Sequence, residues 1–119
     1  MKITIETIPH SEQRYETCGD WQFLHLDRLA VRVSDLGDWR MEACLGLHEV
    51  TEALLCKHLG ITEQAVDDFD MAFTGDGEPG DAPDCPYLIP HRIATSQEMA
   101  LAGKLGVDWA EYEERINAL

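Results

Sequence analysis

The sequence predicts an α+β domain: a small antiparallel sheet of about three strands packed on a central long helix, with three further helices. Three observations predict it. Short runs of β-branched and aromatic residues separated by turn residues fill the chain up to about residue 34. One capped stretch, apolar over much of its circumference, runs from Trp39 to Leu59. Shorter capped stretches follow, split by a Gly/Pro-rich acidic segment at 73–90. At 119 residues the chain is a single domain, with the sheet in about 1–34 and the helical part in about 38–119.

Lys2 to Ile5 alternates polar and β-branched residues and predicts a first strand. Pro9 to Gly19 is polar and irregular. Trp21 to Leu26 and Leu29 to Val33 predict two more strands, and the Asp27-Arg28 pair between them suits a hairpin. Asp38 is a good N-cap and Gly60 a good C-terminal stop, so Trp39 to Leu59 is one helix of ~30 Å. At about 100° per residue, Met41, Cys44, Leu45, His48, Glu52, Leu55 and Leu59 share one face. Ala43, Leu47, Val50 and Leu54 form a second apolar stripe, and Glu49 falls at the edge of the first. A helix apolar over so much of its surface is central to its domain.

Thr62 caps a helix over Glu63 to Met71. The segment from Phe73 to Pro90 then holds three glycines, four prolines and four acidic residues, which predicts a long loop. Its carboxylates, from Asp76 to Asp81, do not follow the spacing of an EF-hand loop, and the segment reads first as a flexible solvated loop and second as a lid over the site at His91. Pro90 suits a helix first turn, so His91 to Leu105 is helical up to Gly106. Asp108 with Glu111 forms a capping box for a last helix through about Ala118. Trp21, Trp39 and Trp109 read as core or core-edge anchors.

Charge narrows the function. Nine basic against 23 acidic residues give −14, a surface that repels nucleic acid and anionic membranes. It favours a cation, a small substrate or a basic protein partner. No segment approaches the ~20 apolar residues of a membrane helix, and MKITIETIPH lacks signal-peptide features. Cys18, Cys44, Cys56 and Cys85 form no C-x-x-C pair, which predicts free thiols in a reducing cytoplasm. Cys85 lies in the loop and is expected to be the most accessible.

Chemistry concentrates in His48-Glu49-Val50-Thr51-Glu52. An imidazole and a carboxylate one helical turn apart in an apolar stripe need a partner, because unpaired polar groups are costly away from water. A divalent metal, zinc foremost, suits both ligand types. In helical H-E-x-x-H sites the residues at i and i+4 ligate the metal and the residue at i+1 is the base. His48 and Glu52 are thus the first ligands, His91 the third, and Glu98 a fourth ligand or the carboxylate that orients a histidine. Glu49 is the candidate catalytic base. The competing reading has His48 and Glu52 bonded to each other or to Arg32, Arg40 or Arg92. Under it the chain is a non-catalytic acidic protein that mimics DNA charge and blocks a basic partner. Cysteine catalysis by Cys44 or Cys56 is disfavoured by their apolar setting.

Asp38-Trp39-Arg40, Leu47 to Ala53, Glu78 to Asp81, Pro86-Tyr87, His91, Ala94-Thr95, Glu98 and Leu105 to Trp109 resemble a group of small uncharacterised phage and prophage proteins. That resemblance implies a phage or prophage source and a host bacterial cytoplasm. A sheet followed by an H-E-x-x helix is more distantly similar to minimal zincin metallopeptidase cores, which implies a zinc-dependent hydrolase. Glu52 stands where those enzymes have a second histidine. Shifted by one residue, Glu49-x-x-Glu52 with Asp67-x-x-Asp70 resembles the magnesium-holding carboxylate pairs of all-α nucleotide pyrophosphohydrolases. There Asp67 begins the second pair in place of Glu, and on the bland reading Asp67 and Asp70 are a solvated face.

Overall fold

The most apolar strand takes the middle of the sheet. The computed structural model describes residues 1–25 and 27–119, so Leu26, the last residue of the second expected strand, lies outside the described residues. Strands β1 (Lys2–Ile8), β2 (Gly19–Leu24) and β3 (Arg28–Ser34) order as β1-β3-β2. β2 pairs antiparallel with β3, as its short connection predicts. β1 instead pairs parallel with β3, Lys2 opposite Arg28 through to Ile8 opposite Ser34. The sheet is therefore mixed, not antiparallel throughout.

The physical reason lies in the strand sequences. Leu29, Ala30, Val31 and Val33 form a near-continuous apolar run, which suits a strand covered on both faces. β1 carries alternating Lys, Thr and Glu and is largely exposed, which suits an edge. The 9–18 connection carries the chain past β3's position, so that β2 and β1 flank it.

Four helices follow: α1 (Trp39–Leu59), α2 (Glu63–Ala72), α3 (Leu88–Leu105) and α4 (Trp109–Asn117). Their caps are the expected ones. Asp38 accepts from the Arg40 amide, Thr62 from Ala65 and Asp108 from Glu111. Gly60 and Gly106 end α1 and α3 at φ 73° and 69°, in the left-handed region that glycine tolerates. α3 begins at Leu88, three residues before the expected start, because Pro90 is accommodated within the first turn, where amides lack intrahelical partners. The acidic segment is not wholly irregular: Pro79–Asp81 makes a 3-10 turn with Gly80 buried.

α1 packs against both the sheet and α3. Its buried face runs through Met41, Cys44, Leu45, His48, Glu49, Glu52, Ala53 and Cys56. That face is rotated from the expected one. Leu54 and Leu59 are exposed, whereas Glu49 is buried instead of edge-lying. Trp39, in the first turn of α1, is 69% exposed and anchors nothing in the core, while Trp21 is buried. Cys85 is also buried, because its loop folds back onto the domain. All four cysteines are free. Among the described residues no helix is long and apolar enough to cross a membrane.

Candidate metal centre

α1 and α3 lie side by side and bring their polar residues to one point. His48 Nε2 lies 3.2 Å from Glu52 Oε2, one turn along α1. His91 Nδ1, from α3, lies 3.1 Å from the same oxygen and 3.2 Å from His48 Nε2. All three side chains are buried. Two ring nitrogens and one oxygen thus form a nearly equilateral triangle. Two protons can satisfy the three corners, one on each ring nitrogen donating to Glu52; a single metal ion could take all three lone pairs at once. A tetrahedral site with bonds of ~2.0–2.1 Å has donor–donor edges of about 3.4 Å, close to those found.

Each imidazole is also held from behind. His48 Nδ1 lies 2.9 Å from Glu98 Oε1, and the Tyr112 hydroxyl of α4 donates to the other Glu98 oxygen. Glu98 therefore faces the far nitrogen of His48 and backs that ring; it is not a fourth corner of the triangle. His91 Nε2 faces Asp81 Oδ1 at 3.2 Å and Glu78 Oε2 at 3.4 Å, both from the acidic loop. Gly80 makes that approach possible: a Cβ there would stand 2.4 Å from His91 Nδ1. Trp21 Nε1, from β2, donates to Glu52 Oε1 at 3.0 Å and leaves Oε2 for the triangle. Histidines whose second nitrogen meets a carboxylate are the usual pattern around bound metals.

The expected residues His48, Glu52, His91 and Glu98 come together. None of Arg32, Arg40 and Arg92 joins them; Arg40 pairs with Asp38. Among the described residues, the groups whose ligand atoms lie close enough to share an ion are His48–Glu52–His91 and Glu78–Asp81–His91. Asp67 and Asp70 form no such group with Glu49 and Glu52. Nor are they a solvated face. Asp67 pairs with Arg14, and Asp70 accepts from the hydroxyls of Tyr15 and Tyr87. Tyr112 and Trp21 had no sequence signal beyond being aromatic residues of apolar faces.

Burial favours neutral forms, and the bonds decide otherwise. Burial works to lower the His48 pKa, yet Glu52 and Glu98 outweigh it and bring it up to about 11. Against the same opposing burial, Glu52 and Glu78 bring His91 up to about 10. Burial would raise Glu52, but bonds from both histidines hold it at about 2. Glu49 differs: burial pushes it well above the carboxylate range and Glu52 adds to the effect.

Glu49 lines a cavity of about 320 Å³ shared with His48, Glu52, His91 and Glu98. It packs against Gly19, where a Cβ would stand 2.6 Å from its carboxylate. The cluster, buried on its protein side and open to the cavity, can hold a metal ion. Compared with known protein families, curated proteins and solved structures, the chain matches none.

Proposed function

We propose that the chain is a zinc protein with a hydrolytic centre, its ligands being His48 Nε2, Glu52 Oε2 and His91 Nδ1. The observation that carries this reading is the triangle of those three atoms, with edges of 3.1–3.2 Å, beside a cavity. Two imidazoles and one carboxylate with an open side form a catalytic zinc inventory. Zinc held there would polarise a carbonyl or phosphoryl oxygen and make a water molecule more acidic. Glu49, one residue from His48 and bordering the cavity, would be the group placed to take a proton from such a water and return it to a leaving group. Glu98, held by Tyr112, keeps the His48 ring aimed at the metal.

Elemental analysis of protein purified without a metal-affinity tag tests the reading. About one equivalent of zinc is expected, lost in His91→Ala. Glu49→Gln keeps the metal but loses hydrolysis of a mixed peptide pool by ~10²–10⁴-fold. A folded, metal-free protein that takes up no zinc on titration sinks the proposal.

A further inference from the structure

The cavity beside the metal position has a strongly one-sided lining. Eight carboxylate side chains face it, and among the described residues no lysine or arginine does. Most of the negative charge is spoken for. Asp20 and Asp67 take the Arg14 guanidinium from outside, Glu16 faces His10, and Glu52, Glu98 and Glu78 take the imidazoles of the centre. Two groups have no cation. Asp70 accepts only from neutral hydroxyls, those of Tyr15 and Tyr87. Glu49 is 8% exposed, accepts no hydrogen bond from any described residue, and opens its carboxyl group onto the cavity. A ligand in the cavity can supply the donor that this group lacks.

Aromatic rings complete the wall. Tyr15, Trp21 and Tyr87 all line the cavity. The Tyr15 ring already carries one cation, with the Arg14 guanidinium carbon 5.6 Å from its centroid. Rings beside unpaired carboxylates recognise ammonium and guanidinium groups through their negative faces. The volume, about 320 Å³, lies at the small end of ligand pockets, which run ~300–1,000 Å³. It admits one long side chain or a small amine.

We infer that this cavity binds an alkyl ammonium or guanidinium group, as carried by a lysine or arginine side chain or by a free diamine. The inference rests on the proposed centre for what is done to the bound molecule, and on the lining alone for its charge. It turns the hydrolytic reading toward cationic substrates and away from phosphoesters, for which the described lining offers no lysine or arginine.

The probes are acetyl-lysine amide, acetyl-norleucine amide and pentane-1,5-diamine, titrated by NMR into chelator-treated and zinc-loaded protein. The lysine probe should bind about tenfold tighter than its neutral norleucine analogue. Amide shifts should map to Cys18–Trp21 and Asp67–Asp70. Asp70→Asn should erase most of that ratio. Tighter binding of the diamine than of the lysine probe points to a free amine; the reverse points to a peptide. Equal binding of the charged and neutral probes by wild-type protein overturns the inference, whether or not the variant folds. Zinc uptake, measured on the same samples, separates the two proposals: zinc without charge preference sinks only this one, and charge preference without zinc sinks only the metal centre.

Discussion

At the scale of single residues, the centre is a contest between protons and a metal for the same lone pairs. In the metal-free protein His48 is raised from 6.5 to about 11 and His91 to about 10, while Glu52 is lowered from 4.5 to about 2. The raised histidines contribute stability that is fully present below pH 6.5 and lost as pH rises through 10–11. Glu49, also raised, adds a loss that begins above pH 4.5. Lowered Glu52 contributes stability that is present above pH 4.5 and lost as pH falls toward 2. Chelator-treated protein should therefore be most stable near pH 4.5 and lose stability above it, more steeply beyond pH 6.5. Its melting temperature should fall between pH 6.5 and 9. Zinc bound as proposed would have to displace the protons on His48 Nε2 and His91 Nδ1, so its effect would run the other way. Thermal melts with and without zinc should show a larger zinc-induced gain at pH 8 than at pH 6. A gain that shrinks with pH would mean that the histidines do not bind the ion.

At the scale of elements, the loop-to-helix contact is the sensitive joint. The 3-10 turn at Pro79–Asp81 lies against α3 because Gly80 has no side chain to meet the His91 ring. Gly80→Ala places a Cβ 2.4–2.7 Å from ring atoms of a packed, buried residue. Either the loop lifts, taking Glu78 and Asp81 from His91 Nε2, or the ring turns away from Glu52. We expect a loss of ~1–3 kcal/mol and weaker zinc binding, read by chemical denaturation and by competition with a chromophoric chelator. Unchanged values in both would show that the turn does not support the site. Such contacts mark the boundary of what the sequence reveals. Helix limits were legible because caps are local: Asp38, Gly60, Thr62, Gly106 and Asp108 each act within one turn. The ligand pair on α1 was legible for the same reason, as was the candidacy of His91 and Glu98 on one face of a later helix. Strand order was not, since β1 joins β3 and not its neighbour in sequence. The burial of Glu49 was also hidden. It depends on which flank of α1 the sheet covers, and Gly19 of β2 supplies that cover.

At the scale of the whole molecule, the excess of acid sets a background against which the site must be measured. The chain carries −14 with histidines neutral, and its extents are 34 × 33 × 27 Å. At 0.01 M ionic strength the screening length is ~30 Å, so charges repel across the entire molecule. At 0.15 M it is ~8 Å, and only neighbours interact. Raising salt between these limits should therefore stabilise the fold by about 1 kcal/mol, roughly 4 °C in melting temperature. The metal-loaded form allows a sharper test. Zinc bound as proposed would bring two positive charges to the triangle and displace the two protons that the raised His48 and His91 hold at neutral pH. Local bonding changes, but the net charge of the molecule does not. The salt-induced rise should thus be the same, within error, with and without zinc, on top of a constant zinc-induced offset. A rise that shrinks on zinc loading would show that the histidines are neutral before the metal arrives, because only then does the ion reduce the net negative charge.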